Sequence, residues 1–500
     1  MLRPLIRRLS SYATLFVVLA GFAKAAADAP KNVVFILADD LGWGELGCYG
    51  QKKIKTPRID AMAAEGTRFT HHYTGAPVCA PARCVLLTGK HTGHAEIRGN
   101  LQARVNFPEF KEGQHPISAG IVTLAETFQK AGFATGAMGK WGLGPVGSTG
   151  DPNKQGFDRF FGYNCQAVAH SFYPKFLWSD DQQVEINRTA IRGHARQPEG
   201  EVKMEDWIGE THASKPILEE ALAFIEKNQK NRFFLYLPFT EPHVAMHPLK
   251  ESVDEYPKDW DDQPYRGQSG YLPHPRPRAA YAAMISDLDR HVGAVLDKLR
   301  ATGLLDDTLV VFTSDNGTTH EGKGGNFGIG GVDAGFFNST AGLRGLKGSV
   351  LEGGIRVPMI VRYPKVVKAG AVSDTPGYFA DWYPTLCAAA GLIPPEGLDG
   401  ENIWPAITSG VVLGKRKPMV WVYPEYGGQV AVRIGDHMIL RRKLKSPKPE
   451  SWEVYDVVQD PSESRNLVAE RGDLIEQAVV ILQRETAANP LFPMEIPAVE

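Results

Sequence analysis

The chain has 500 residues, of which 43% are hydrophobic, and its formal net charge at pH 7 is −2. A chain of this length and composition can bury a large core and divide into two domains. The near-zero charge excludes a broad basic face of the kind that binds nucleic acid, so any site for an anion must be a local pocket. The five cysteines are scattered and odd in number, which argues against a disulfide framework and against a zinc ribbon.

The first 27 residues have the pattern of an export signal. Arginines come first, an apolar run follows, and small residues close the segment. The apolar run is shorter than the roughly 20 residues that a membrane-spanning helix needs, and no later segment has the required length and apolarity. The sequence therefore predicts a signal peptide over residues 1–27 and a secreted or periplasmic protein, with no membrane span after cleavage.

Four short apolar runs each end in polar residues. They are NVVFILADD ending at Asp39 and Asp40, FATGAMGKWG with Lys140, RFFLYLPFTEPH ending at His243, and DDTLVVFTSDNG with Asp315 and Asn316. Helical patterns lie between the runs, over residues 56–66 and 281–303. Strands that alternate with helices predict an α/β fold with a mainly parallel central sheet flanked by helices, in which ligands bind beyond the carboxyl ends of the strands.

Oxygen-bearing side chains follow two of these predicted strands. Taken singly, such acidic residues are more often turn formers or helix caps. Together at one sheet edge they favour a site for a hard divalent cation, formed by Asp39, Asp40, Asp315 and Asn316. Three carboxylates and an amide suit the flexible coordination shell of Ca²⁺ better than the strict octahedron of Mg²⁺, which is the alternative.

Cys79 lies just before a short helical pattern, PARCVLLTG, with Arg83 one turn further on. A helix N-terminus favours negative charge, and the Arg83 guanidinium can bind the same anion with two parallel hydrogen bonds. A lone cysteine is more often simply packed in a turn. A thiolate would be a poor ligand for a hard cation, and an oxygen at position 79 would remove that mismatch.

The Pro- and Gly-rich stretch GLIPPEGLDGENIWP precedes a change of pattern near residues 410–417. Beyond it, alternating apolar residues predict short antiparallel strands, followed by a helix from about Asp473. The sequence thus predicts a catalytic domain over residues 29–412 and an α+β subdomain, an antiparallel sheet plus a helix, over residues 413–500.

The segment Cys79-Ala80-Pro81-Ala82-Arg83, followed by Leu87-Thr88-Gly89, resembles the signature of the formylglycine-dependent sulfatases, the arylsulfatase-like family. Further family blocks follow in order along the mature chain. They are Asp39-Asp40, Gly139-Lys140-Trp141, Glu241-Pro242-His243, Ser314-Asp315-Asn316-Gly317 and Leu343-Arg344-Gly345-Leu346-Lys347. The resemblance implies an alkaline-phosphatase-like fold.

It also implies a chemistry. A formylglycine-generating enzyme or an anaerobic sulfatase-maturating enzyme would oxidise Cys79 to formylglycine, whose hydrate attacks sulfur and joins the four oxygen-bearing residues as a ligand of one calcium ion. Arg83, Lys140 and Lys347 would neutralise the sulfate oxygens. His243 would protonate the departing alcohol oxygen.

One position departs from the family pattern. Family members commonly carry a histidine two residues after the lysine, where this chain has Gly142. That histidine is expected to handle the proton of the hydrated aldehyde. Our hypothesis for its replacement is His170, because nearby aromatic residues suggest a pocket wall, although a structural histidine accounts equally well for the pattern. These aromatic residues are Tyr163, Phe172, Tyr173 and Trp178.

The predicted function is hydrolysis of a sulfate ester of a carbohydrate or of an aryl group. The aromatic residues from Phe160 to Trp178 favour a sugar, because aromatic rings stack on pyranose faces, although such residues more commonly belong to a core. Two alternatives stay open. They are a phosphonate monoester or phosphodiester hydrolase on the same fold, and an inactive homologue that binds sulfated glycans.

Overall fold

The computed structural model describes residues 29–320, 327–410 and 416–498. The predicted signal peptide and the predicted boundary between residues 412 and 413 lie outside the described residues. The strands are β1 (Asn32–Ala38), β2 (Thr67–Phe69), β3 (His72–Tyr73), β4 (Ala134–Lys140), β5 (Arg159–Tyr163), β6 (Phe176–Ser179), β7 (Gln182–Glu185), β8 (Phe233–Pro238), β9 (Thr308–Ser314), β10 (Met359–Arg362), β11 (Ala371–Ser373), β12 (Gly377–Tyr378), β13 (Met419–Tyr423), β14 (Gln429–Ile434), β15 (His437–Arg441) and β16 (Glu453–Asp456).

Short 3-10 helices and eleven α-helices connect the strands within the described residues. The α-helices are α1 (Pro57–Ala64), α2 (Cys79–Thr88), α3 (Leu124–Lys130), α4 (Ser214–Lys227), α5 (Lys250–Val253), α6 (Pro277–Ala301), α7 (Ala334–Phe337), α8 (Glu352–Ile355), α9 (Trp382–Ala390), α10 (Trp404–Ser409) and α11 (Gly472–Arg484). None of the helices in the described part of the chain has the length and apolarity that a membrane span requires.

The central sheet has ten strands in the order β11-β2-β10-β9-β1-β8-β4-β5-β6-β7. Its five middle strands, β9, β1, β8, β4 and β5, run parallel to one another. Antiparallel pairs occur only toward the edges of this sheet, where β10 pairs with β9 and β2, and where β6 pairs with β5 and β7. The predicted α/β fold with a mainly parallel centre is therefore confirmed.

Strand β1 shows why the sheet is covered on both faces. All seven of its residues are buried, and successive side chains point to opposite faces. Val33, Phe35 and Leu37 belong to one core cluster, which includes residues of α2 and α9. The alternate side chains of β1 belong to the other cluster, which includes residues of α4 and α6. A parallel sheet buried on both faces requires such a continuous apolar run.

The C-terminal part forms a four-stranded antiparallel sheet, β13-β14-β15-β16. Alternate residues again face two sides. Val420 and Val432 pack toward α11 in a small core of their own, whereas Trp421 and Leu440 belong to the core of the main domain. The Trp421 indole also donates a hydrogen bond to the Thr74 carbonyl at 2.9 Å. This small sheet is therefore joined to the catalytic domain through shared core residues.

Helix α2 begins at Cys79, two residues before the start that Pro81 suggested. All ten residues of this helix are buried, and it ends at Gly89 in the left-handed conformation (φ +65°). Because a helix so completely enclosed cannot shift without disturbing the core, the position of Cys79 is fixed by packing along the whole of α2.

Gly139 in β4 allows the parallel strands to approach. It has φ +138°, and a Cβ atom there would lie 2.1 Å from the Pro238 carbonyl oxygen. We expect Gly139→Ala to lower the free energy of unfolding by at least about 3 kcal/mol, because backbone strain and overpacking add. Gly132→Ala is the control, since Gly132 has φ +82° with open space around it, and should cost about 1 to 2 kcal/mol. Urea unfolding measures both; equal losses would contradict the close-approach explanation.

Candidate active site

The carboxyl ends of the middle strands meet at one edge of the sheet, as the sequence predicts. Asp39 and Asp40 directly follow β1, Asp315 and Asn316 follow β9, and Lys140 is the last residue of β4. His243 comes from the loop after β8. All six side chains are buried. The fold therefore gathers the predicted site residues from four strands into one enclosed cluster.

Oxygen ligands for a cation lie together in this cluster. The Asp40 backbone N–H donates to Asp315 Oδ1 at 3.2 Å, and Asn316 Nδ2 donates to Asp40 Oδ1 at 2.7 Å. Asn316 Oδ1 is left buried without a hydrogen-bond partner. One ligand atom from each of Asp39, Asp40, Cys79 and His243 lies within 4.8 Å of the others. A buried acceptor without a partner beside three carboxylates is the arrangement that a hard divalent cation would satisfy.

Three buried cations face these carboxylates. Arg83 Nη2 lies 2.8 Å from Asp315 Oδ2 and 3.1 Å from Asp39 Oδ2. Its Nη1 also donates to the Lys140 carbonyl. Lys140 Nζ lies 2.5 Å from Asp39 Oδ2. The pKa of Asp39 is held well below its usual value, because burial, which alone would raise it, is outweighed by the charges of Lys140, Arg83 and Lys347.

Lys347 is the third of these cations. Its Nζ is 2.6 Å from Asp40 Oδ1. Burial would lower the pKa of Lys347, but Asp40, Cys79 and Asp39 raise it well above the usual value, so the side chain stays charged. By contrast, burial and then Asp39 raise the pKa of Asp315 to about 6. The carboxylates therefore repel one another, and an additional positive charge between them would stabilise their ionised forms.

Cys79 stands at the N-terminus of α2 within reach of both lysines. Its Sγ is 3.6 Å from Lys140 Nζ, 3.5 Å from Lys347 Nζ and 3.5 Å from Asp39 Oδ1. Burial, and then the Asp39 carboxylate, raise the thiol pKa to about 12, although both lysines act to lower it. The unmodified side chain is therefore a neutral thiol at neutral pH, which argues against its acting as a thiolate nucleophile.

His243 lies on the other side of Asp40, with Nε2 at 3.7 Å from Asp40 Oδ2. Its Nδ1 is hydrogen-bonded to the Val244 carbonyl, which leaves Nε2 directed at the cluster. The pKa of His243 is held well below its usual value by burial and by the nearby Lys140 and Lys347 ammonium groups. The ring is therefore neutral at neutral pH, with the lone pair on Nε2.

His170 stacks on His243, with ring centroids 5.0 Å apart and planes at 13°. The ring of Tyr271 lies 6.0 Å from that of His243 and 5.2 Å from that of His170. Burial and the neighbouring His243 lower the pKa of His170 to about 2. The structure thus places His170 beside the predicted general acid, and nothing in the described contacts links it to Gly142.

The space at Gly142 is filled by another residue. Gly142 has φ +110°, and a Cβ atom there would lie 2.2 Å from Gln166 Nε2. Gln166 is buried, and its Nε2 has no hydrogen-bond partner. The Gln166 backbone is held by Gln114 Oε1, which accepts its N–H at 2.9 Å. The glutamine amide therefore occupies the volume that a side chain at position 142 would need.

The aromatic residues between Phe160 and Trp178 do not form an open wall. Phe160, Tyr163 and Phe172 are core residues with almost no exposed surface. The Trp178 indole donates to Glu112 at 2.7 Å. Phe160, Tyr163 and Phe172 therefore belong to the core and do not line a sugar site.

Sequence reasoning missed Gln166, Tyr271 and Tyr426, which all lie near the cluster or beside its residues. None of them belongs to a recognisable motif. Two of the three, Tyr271 and Tyr426, have positive φ angles of +63° and +50°, a conformation that bulky residues rarely adopt. No pattern in the amino-acid sequence marks such backbone angles.

A second group of potential metal ligands, His91, His94 and Glu485, lies where the end of α11 meets the loop after α2. The Gly93 N–H donates to His91 Nδ1 at 3.1 Å, which leaves the proton of a neutral ring on Nε2, 3.6 Å from Glu485. His94 Nδ1 lies 3.0 Å from Asp399 Oδ1. Both rings therefore donate toward carboxylates, and the group ties the C-terminal segment to the catalytic domain.

Comparison with known proteins agrees with this arrangement. The family model described as Sulfatase matches residues 31–392. A second model, described as N-sulphoglucosamine sulphohydrolase, C-terminal, matches residues 347–485. Both the parallel sheet with its cluster and the small antiparallel sheet are therefore covered by sulfatase models.

Curated relatives are similar over most of the chain. Human N-acetylgalactosamine-6-sulfatase is 31% identical over 410 residues, which cover 79% of this chain and 69% of the relative. Human arylsulfatase A is 31% identical over 487 residues, which cover 90% of this chain and 86% of the relative.

Solved structures share the fold. The crystal structure of Ps i-CgsB in complex with k-i-k-neocarrahexaose has a TM-score of 0.73 and 25% identity, over 92% of this chain and 94% of the other. The phosphonate monoester hydrolase of Agrobacterium radiobacter, with a TM-score of 0.59 and 19% identity over 94% of this chain and all of the other, shares the fold alone. The family model spans well over half of the chain, two human sulfatases exceed 30% identity to it, and the chain belongs to the sulfatase family.

Proposed function

We propose that this sulfatase removes sulfate from a sulfated carbohydrate, with Cys79 converted to formylglycine and with one bound calcium ion. The observation that carries the proposal is the environment of Cys79 Sγ, which lies within 3.6 Å of two buried ammonium groups and a carboxylate oxygen. A buried thiol with a raised pKa has no evident use there. An oxygen-bearing side chain at position 79 would suit both the cations and a neighbouring hard metal ion.

The carboxylates Asp39, Asp40 and Asp315 and the unpartnered Oδ1 of Asn316 fit a calcium ion. We propose these residues, together with the modified residue 79, as its ligands; Mg²⁺ is the alternative. The bound cation would supply electrostatic stabilisation to sulfate oxygens in the transition state. Hydrated formylglycine would supply one hydroxyl group as the nucleophile at sulfur; the second would lose its proton and re-form the aldehyde as the C–O bond to the sulfate breaks.

Protein side chains then provide charge and proton transfer. Lys140 and Lys347 stay protonated, since the pKa of each is raised by neighbouring carboxylates against the effect of burial. Together with Arg83 they would hold the sulfate oxygens. The negative charge of a bound sulfate ester would offset the two ammonium groups that depress the pKa of His243. His243 Nε2 would then carry the proton that the departing alcohol oxygen receives.

The carbohydrate preference draws support from the relatives. One relative is named for an N-acetylgalactosamine sulfate, and the structure at 25% identity holds a neocarrahexaose. An aryl sulfate is the second candidate, because arylsulfatase A is equally similar. We also propose export to the periplasm or medium, and maturation by a formylglycine-generating or anaerobic sulfatase-maturating enzyme.

The first experiment measures sulfate release and the mass of the peptide that contains residue 79. Protein coexpressed with a maturation enzyme should release sulfate from sulfated sugars, and its peptide containing residue 79 should be lighter than the cysteine form. We expect Cys79→Ala to lose at least about 10³-fold in kcat/KM because the nucleophile is absent. Cys48→Ala, at a half-buried cysteine whose backbone N–H is bonded to Asp60, is the control and should keep its activity. Full activity with unmodified cysteine would refute the proposal.

Matched aryl esters separate the rival activities. Preferential release of phosphate or phosphonate over sulfate would favour the phosphonate monoester or phosphodiester hydrolase. Tight binding of sulfated glycans without turnover by fully matured protein would favour an inactive homologue.

Calcium binding is tested directly. Because Asn316 Oδ1 has no protein partner, we expect Asn316→Ala to weaken Ca²⁺ binding at least about tenfold in calorimetry, a loss of one ligand worth about 1.4 kcal/mol. The wild-type Tm should fall on addition of a chelator, because an ion that binds only the folded state stabilises it. Asp473→Asn, an exposed carboxylate in α11, serves as the control. Unchanged affinity in Asn316→Ala would remove this residue from the ligand set.

A pair of substitutions at positions 142 and 166 tests whether the two side chains compete for one space. Gly142→His alone should destabilise the protein by about 2 to 4 kcal/mol, because of positive φ and the clash with Gln166 Nε2. Adding Gln166→Gly should recover at least about half of that loss. Urea unfolding gives the coupling energy; additive losses would show that the two side chains do not compete for one space.

The same variants test the His170 hypothesis. If His170 handles the proton, His170→Ala should lower kcat and shift its pH profile, and the Gly142→His/Gln166→Gly protein should lessen that effect. An unchanged pH profile in His170→Ala would leave this histidine with a structural role.

A further inference from the structure

The turn between β13 and β14, residues 424–428, belongs to the C-terminal sheet. It packs against the loop that carries Lys347. Gln429, the first residue of β14, donates from Nε2 to the Gly348 carbonyl at 2.7 Å and accepts the Val350 N–H at 3.2 Å. Gly348 directly follows Lys347, whose Nζ is 3.5 Å from Cys79 Sγ. The turn is therefore fixed relative to the reacting centre by two hydrogen bonds.

Tyr426 occupies this turn and is about half exposed. At 55% exposure it is the most exposed aromatic side chain in the described ranges. A single exposed apolar residue needs no special explanation. Here, however, the backbone also adopts φ +50°, an uncommon conformation that costs energy for a bulky residue and that concentrates at functional sites. The surrounding structure must hold the ring in this position.

Two rings and a glycine provide that support. The Tyr426 ring is parallel to that of His320 at 5.1 Å and 11°, and to that of Tyr423 at 5.8 Å and 24°. At these centroid separations the rings overlap only in part, and more than half of the Tyr426 surface stays exposed. A Cβ atom on Gly348 would lie 3.1 Å from the Tyr426 ring and 3.2 Å from His320, so the absent side chain lets both rings lie against the Lys347 loop.

We propose that Tyr426 is a specificity-determining residue, whose ring binds the carbohydrate part of the substrate by stacking on a pyranose face. The inference rests on the proposed carbohydrate sulfatase function. A rigid aromatic ring offers a large apolar surface with little loss of conformational entropy, and the carbon-bound hydrogens of a pyranose face provide its counterpart. The sulfate group would lie among Lys140, Lys347 and Arg83, while the ring beside Lys347 receives the sugar.

A second tyrosine, Tyr271, lies beside His243 at the same site. The Tyr271 ring lies 6.0 Å from that of His243 and 4.3 Å from that of His194. Since His243 is the proposed donor to the departing oxygen, Tyr271 lies near the leaving sugar. Tyr426 reaches the site from the C-terminal sheet, so that sheet contributes to substrate selection as well as to stability.

The test compares Tyr426→Ala and Tyr426→Phe in the mature, calcium-loaded enzyme. Substrates are defined sulfated mono- and oligosaccharides, including carrageenan oligosaccharides, and inorganic sulfate is the competitive inhibitor. Loss of one stacked ring should raise KM for the preferred sugar about tenfold with kcat changed less than about twofold. The inhibition constant of inorganic sulfate, which lacks a sugar, should stay unchanged. Tyr426→Phe keeps the ring and should keep the wild-type KM.

Val480→Ala, a 61% exposed position on α11, is the control for surface truncation and should match the wild type. Equal KM values in Tyr426→Ala and wild type would overturn the proposal. So would a parallel rise in KM and in the sulfate inhibition constant, because it would show that the ring only supports the Lys347 loop. Failure of the wild type to release sulfate from any sugar, with activity on aryl sulfates intact, would instead refute the proposed carbohydrate function.

Discussion

The structure depends on the mutual neutralisation of buried charges at the carboxyl edge of the sheet. Asp39, Asp40 and Asp315 are fully enclosed, and an unpaired carboxylate there would cost several kcal/mol. Arg83, Lys140 and Lys347 supply an equal number of positive charges at 2.5 to 3.1 Å. A cation that took the carboxylate oxygens would free the lysines for an anion. The proposed metal binding and sulfate binding would in this way be coupled through the same salt bridges.

That coupling requires a rigid frame. Strands β1, β4, β8 and β9 place their last residues at one edge because they are parallel and in register, and α2 holds Cys79 through burial along its whole length. The C-terminal sheet contributes through Trp421, which shares the main core. Small displacements of Lys347 would alter both the Asp40 contact and the approach to residue 79, so the hydrogen bonds from Gln429 matter for charge placement as well as for packing.

Much of this could be predicted from the sequence for a physical reason. The polar residues after apolar runs, such as Asp39 and Asp315, belong to strands that pair in parallel, and parallel pairing brings strand ends together. Tyr426 and Gln166 could not be predicted, because they reach the site through loops whose course depends on long-range contacts. The aromatic residues around Phe160 suggested a sugar-binding wall but are buried in the core. The sequence pattern does not distinguish a ring that faces a cleft from one that faces the core.

The replacement at Gly142 has a chemical consequence beyond its geometry. A histidine can take up and release a proton near neutral pH, whereas the Gln166 amide can only donate or accept a hydrogen bond. The charged neighbours of residue 79 are poorly suited to replace it, since the pKa of Asp39 is lowered and that of Lys347 is raised. Asp315, whose pKa is raised to about 6 by burial and by Asp39, lies in this cluster, and so does His243 with His170 stacked on it. Under the His170 hypothesis, this stacked pair would carry both proton transfers, to the departing alcohol oxygen and from the hydrated residue 79.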